Sequence, residues 1–143
     1  MSAEQITSRQ NPLLQHMVRL QASAAERRRS GELVGDGWKL LGEAAQHGEL
    51  LTVVAAEGQE IPPLPEGVRV AQVPAALLEA VSRMETPQGV LFIARRPEAC
   101  TVPLAAGSLV LDGVQDPGNV GAVLRTAEAF GAPLVALTEG CAD

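Results

Sequence analysis

The sequence predicts an α/β protein in two parts. A three-layer α/β/α domain covers residues 1–96, a linker covers 97–107, and residues 108–143 open a second α/β domain. Three observations predict this. Short apolar runs (LLTVVAA at 50–56, GVLFIA at 89–94, SLVLD at 108–112) have the length and β-branched content of buried strands. Helical spacing fills the stretches around them. The stretch RPEACTVPLAAG, from Arg96 to Gly107, has two prolines and small residues, the composition of a connection between domains.

Asn11-Pro12 marks the first helix start, because Asn caps well and Pro suits the first helical position. Leu13, Leu14, Met17, Val18 and Leu20 then recur on one face. A second helix, Ala22 to Arg29, stops at Ser30-Gly31. Leu33-Val34 is a short strand that turns at Gly35-Asp36-Gly37 into a helix whose apolar face is Trp38, Leu40, Leu41, Ala44 and Ala45, closed by Gly48. Strand 50–56, a loop with three prolines over 57–67, strand 68–73, a short helix 74–81 and strand 89–94 complete the first domain. In the second part, strand 108–112 leads through a polar turn to a helix from about Val120 to Phe130, stopped by Gly131, and then to strand 134–137. So short a strand–helix–strand cannot cover both faces of a parallel sheet, so further sequence or a partner is expected to cover it.

Composition narrows the function. Net charge is −6, but residues 1–40 carry six basic and four acidic groups, while 41–143 carry five and thirteen. A polyanion would be met by the first forty residues, with Arg9, Arg19, Arg27, Arg28 and Arg29 as candidate contacts. The plain alternative for Arg27–Arg29 is a solvated helix end. Trp38, Phe92 and Phe130 are the only aromatics, too few for base stacking as the main mode, so recognition should run through backbone shape and charge. Cys100 and Cys141 form no CxxC pair and read as free thiols. His16 and His47 lack partners at metal-ligand spacing, so no metal site is expected. With no signal core and no apolar run of about 18 residues, a cytoplasmic protein without membrane partners is expected.

The chemistry concentrates in Asp112 to Gly131, a strand, a tight turn and a helix whose first N–H groups would attract an anion. Asn119 stands at the expected cap. Gly121 lies four residues before Arg125 and clears space beside the guanidinium, while Val120, Val123, Leu124 and Ala127 form the packing side. An amide, open backbone and a permanent cation would suit a phosphodiester or a polarised ribose hydroxyl. The bland alternative is that Arg125 pairs with Glu128 and Asn119 is merely a cap. Gly118-x-x-Gly121 is not the GxGxxG spacing of a dinucleotide site, which weakens a Rossmann-like nucleotide enzyme as an alternative.

LVLDGVQDPGNVGAVLRTAEAFGA contains the core D-P-x-N-x-G-x-x-x-R-[TS]-A and resembles the first signature motif of SpoU-type (TrmH-like) methyltransferases of the knotted SPOUT superfamily. Ile6 to Pro12 (ITSRQNP), Leu33 to Gly37 (LVGDG) and Thr86 to Val90 (TPQGV) are similar to three points of that family's RNA substrate-binding domain. The resemblance implies S-adenosylmethionine-dependent 2′-O-methylation of a ribose in structured RNA, ribosomal or transfer RNA with ribosomal RNA favoured, by a homodimer. It implies a catalytic domain with a knotted, Rossmann-like fold, of which this chain carries the first βαβ part. It makes Arg125 and Asn119 the catalytic residues, with Gly121 beside the RNA. A guanidinium is a poor general base, so Arg125 is expected to stabilise alkoxide charge. The methyl-donor pocket is expected beyond Asp143, leaving this chain as an RNA-binding module without chemistry of its own. Where relatives tend to carry Lys in the first helix, Gln15 and His16 stand here.

Overall fold

The computed structural model describes residues 3–98 and 102–143. Their contacts divide after residue 98 into two compact units, an N-terminal and a C-terminal one.

In the N-terminal unit the elements run β1 (Glu4–Gln5), α1 (Pro12–Ala22), α2 (Ala24–Ser30), β2 (Glu32–Asp36), α3 (Trp38–His47), β3 (Leu50–Ala56), β4 (Arg69–Val73), α4 (Ala75–Glu79) and β5 (Val90–Arg95). The strands form one sheet of order β1-β4-β3-β5-β2. β1, β4 and β3 are parallel, and β5 runs antiparallel to both β3 and β2. Because side chains alternate across a strand, the apolar runs feed both faces. Val54, Ala71, Val73, Leu91 and Ile93 pack on one side against Leu14, Met17 and Leu20 of α1 and Leu78 of α4. On the other face, Val53, Ala55, Val90 and Phe92 meet Leu41 of α3, with Ile61 and Leu64 of the proline-rich loop. The expected three layers are therefore present.

Local chemistry explains the helix ends. The Asn11 side chain accepts from the Leu13 N–H at 2.9 Å, with Pro12 following as first helical residue. Gly31, at φ 69°, closes α2 in the left-handed conformation. Gly35 pairs with Phe92 across the β2–β5 ladder, and any side chain there would run into the Phe92 ring. Two details differ from the sequence reading. Leu40 is 52% exposed, because the residue next to buried Leu41 is turned 100° around the helix, away from the sheet. β1 was not anticipated: two polar residues carry no period-two signal, and only the β4 edge makes them a strand.

The C-terminal unit comprises β6 (Leu109–Leu111), α5 (Pro117–Ala129) and β7 (Val135–Leu137), with β6 and β7 paired in parallel around the crossover helix. Its helix closes in a Schellman turn: Ala132 N–H donates to Ala127 O and Gly131 N–H to Glu128 O, with Gly131 at φ 70°. Val120 and Ala127 are buried and Val123 is half-buried, but Leu124 is 42% exposed and does not belong to the packing side. Leu124 lies at one edge of that stripe, about 100° around the axis from Val123, and the two-stranded sheet does not cover it.

Candidate active site and charged surface

α5 begins three residues earlier than the sequence reading placed it, and this changes its start. Asp116, not Asn119, is the cap: its Oδ1 accepts from the Asn119 N–H at 2.8 Å, and Pro117 takes the first helical position. Asp-Pro obeys the same rule as Asn11-Pro12. The expected open anion cradle at the helix start is accordingly not formed. Pro117 has no N–H, the Asn119 N–H is held by a carboxylate, and the Val120 N–H bonds Asp116 O. A fixed carboxylate there also repels a phosphate.

Arg125 is exposed, and its guanidinium lies back over the preceding turn: a Cβ at Gly121 would stand 3.3 Å from Nη1. Long helical side chains lean towards the N-terminus in this way, and Gly121 leaves that path clear, as the spacing suggested. Gly118 continues the same stripe, since at 100° per residue positions 118, 121 and 125 fall within about 60° of one another. Gly118 has a second constraint, because a Cβ there would sit 2.9 Å from Asp116 Oδ1. Asn119 is exposed but lies about 120° around the axis from Arg125, so α5 does not bring the two onto one face. The alternative pairing with Glu128 is not formed: among the described residues Arg125 makes no ion pair.

The loops at the carboxyl ends of β6 and β7 hold each other. The Thr138 hydroxyl donates to Asp112 Oδ1 at 2.9 Å and accepts from the Gly113 N–H at 3.2 Å. The Ala142 N–H donates to Val114 O at 2.8 Å, and the Cys141 thiol to Leu111 O at 3.2 Å. In open α/β sheets this strand end is the ligand-binding end. Cys141 is a free thiol, and Cys100 lies outside the described residues. A separate cavity of about 620 Å³, lined by Leu109, Val123, Ala127, Phe130 and Pro133 among others, contains neither Arg125 nor Asn119. Among the described residues no cluster of His, Cys, Asp or Glu could hold a metal, and no helix is long and apolar enough to cross a membrane.

The arginines of the N-terminal unit separate into distinct surroundings. Half-buried Arg27 donates through Nη1 to Leu20 O at 2.7 Å in the last turn of α1. Arg29 pairs with Glu26 at 2.6 Å, and this bond pulls the Glu26 carboxyl below its ordinary range. Arg19 stands 3.9 Å from the same carboxylate, and Arg28 is exposed. A solvated helix end therefore describes Arg28 but not Arg27. Arg9 precedes α1, an eleven-residue helix about 16 Å long, and so stands at the far end from the others. Sequence reasoning missed Arg83, whose Nη1 donates to Gln21 O at 2.9 Å. Nothing in the sequence around 83 signals this, because the partner lies 62 residues away.

Residues 11–92 match the MRM3-like substrate binding domain family, and residues 107–143 match the SpoU rRNA Methylase family. A 23S rRNA (guanosine(2553)-2′-O)-methyltransferase of Bacillus subtilis is 31% identical over 142 residues, covering 98% of this chain and 56% of the relative. A putative TrmH-family RNA methyltransferase structure from Porphyromonas gingivalis is 32% identical with a TM-score of 0.72, over 91% of this chain and 52% of that one. The AdoMet-bound rRNA methyltransferase of Sinorhizobium meliloti superposes with a TM-score of 0.78 at 25% identity, over 99% and 56%. The chain thus spans about half the length of the relatives it matches.

Proposed function

This chain belongs to the SpoU (TrmH-like) family of RNA methyltransferases and carries an MRM3-like substrate-binding domain, and we propose from that membership that the whole protein methylates a ribose 2′-hydroxyl in ribosomal RNA. Residues 1–96 would recognise the RNA, and the domain opening at 108 would perform the transfer. The observation that carries the reading is Arg125, an unpaired guanidinium laid over a glycine track inside the matched motif.

In this reading Arg125 holds the ribose hydroxyl and its neighbouring phosphate. A guanidinium keeps its proton under nearly all conditions, so its contribution is electrostatic, stabilising the alkoxide as the hydroxyl proton leaves to phosphate or solvent. Gly121 lets the sugar–phosphate backbone approach the helix. Asn119, on a different face, is assigned to orienting the substrate rather than Arg125. Only the Gly118 N–H remains at the helix start, so phosphate contact falls on the side chain and not on the helix terminus.

S-adenosylmethionine would supply an electrophilic methyl group. The residues of this chain do not fit it alone: the carboxyl-end loops are bonded to each other, and the 620 Å³ cavity at the other strand end is apolar. A homodimer acting in the cytoplasm completes the proposal. The second reading, a module that holds RNA without chemistry, is favoured for this chain by those same closed loops.

Two titrations test the proposal. This chain should bind structured ribosomal RNA and not S-adenosylmethionine, whereas the longer protein should bind both and place labelled methyl on a ribose oxygen. Label on a base, or binding of a nicotinamide cofactor, would refute it.

A further inference from the structure

α1 ends in carbonyls that have no partner within the helix. Two of them are met by guanidinium groups from elsewhere in the chain: Arg27 on Leu20 O and Arg83 on Gln21 O, side by side. Arg29 and Arg19 both face Glu26 in the adjoining α2, and Arg28 is exposed between them in sequence. Five arginines therefore surround the α1–α2 junction, two of them facing the single carboxylate of Glu26, in a chain whose net charge is −6. The nearby Glu32 is occupied by His16 at 2.5 Å. Elsewhere in this unit Arg69 pairs with Glu4 and Arg95 with Glu49.

We propose that this junction, completed by Arg83, is the surface on which the N-terminal unit grips the phosphate backbone of structured RNA; the inference rests on the RNA-methyltransferase reading above. The negative end of the helix dipole favours cations at this place. A guanidinium has five N–H donors in a planar fork, and the bond from Arg83 to Gln21 O uses one of them. The tether fixes the side chain before RNA arrives, which lowers the ordering cost of binding. The fork itself matches a phosphate better than an ammonium would. Charge and shape suffice for such contact, in keeping with a chain that has three aromatic residues.

The competing role for Arg83 is purely to cap α1, and one substitution separates the two. Arg83→Gln keeps an amide donor for Gln21 O while removing the charge. Binding of this chain to a ribosomal stem-loop is measured by fluorescence anisotropy between 50 and 200 mM salt, with Tm alongside. Arg83→Gln and Arg28→Gln should each flatten the log–log salt slope by roughly 0.7–0.9 and weaken binding about threefold at the upper salt, as loss of one phosphate contact requires. Arg95→Gln should leave the slope unchanged. A lowered Tm with an unchanged slope in Arg83→Gln would make Arg83 a cap alone and overturn the proposal. Failure of the unmutated chain to bind the stem-loop would instead remove the RNA reading itself, and the patch with it.

Discussion

The N-terminal and C-terminal units differ in how they bury apolar side chains and in how they distribute charge. Among the described residues, the first buries 21 apolar side chains on two faces of one sheet, and the second buries Val120 and Ala127. The first unit holds ten basic residues against twelve acidic ones, with five of its arginines gathered at the α1–α2 junction. In the second, Arg125 is the one basic residue of the sequence against five acidic ones. In the function proposed above, the difference would separate holding the RNA from reacting with it. In the proposed reading a polyanion would be drawn by the arginine cluster of the first unit and repelled by the net charge of the second. A solitary guanidinium among carboxylates attracts no polyanion by long-range field, so the role proposed for Arg125 is contact with one group already delivered.

The largest effect should come from the core that only the first unit has. Phe92→Ala should cost about 3–5 kcal/mol, read as a fall in denaturation midpoint, because the ring is fully buried between α3 and the sheet. A cost under about 1 kcal/mol would mean that this face is loosely packed. Next comes the isolated cation. In the longer protein, Arg125→Ala should lower methyl transfer by roughly 10²–10³-fold, the scale of a lost oxyanion donor, with RNA affinity changed less than about twofold. Near-normal turnover would deny it the role, and a matching loss of affinity would make it a binding residue like those of the first unit.

Asp116→Ala should follow at about 1 kcal/mol, the ordinary worth of a helix cap, and Asp116→Asn should restore most of it. Hydrogen-exchange protection across α5 reports this without requiring the first unit to unfold, and unchanged protection would contradict the assigned cap. The same residue shows what the sequence could and could not tell. Strands 50–56 and 89–94 were legible because both faces are buried, so apolar runs had to be continuous. The dipeptide rule that located Asn11-Pro12 applies equally to Asp116-Pro117, but the sequence reading put the cap at Asn119, three residues too late, because that asparagine also suits a cap. Arg27, Arg28 and Arg29 read as one basic block, yet steps of 100° around α2 send them to a helix carbonyl, to solvent and to Glu26. Arg83 was invisible because its place depends on a fold that brings position 83 to position 21. Spacing reveals which residues share a helix face; it does not reveal which distant carbonyl a cation will find.

The smallest effect is predicted where the two units differ most plainly. Phe130 is 87% exposed at the end of α5, beside the apolar cavity. In this chain Phe130→Ser should alter stability by no more than about 0.5 kcal/mol, since a surface substitution removes little packing. It should also reduce binding of an environment-sensitive hydrophobic dye, because an exposed ring bordering an apolar hollow is where such a dye would settle. Phe92→Ala should do the reverse, costing stability heavily and creating dye binding as the unit opens. A Phe130→Ser loss well above 1 kcal/mol would mean that the ring is covered in solution, and the C-terminal unit would then have a core that its own 45 residues do not provide.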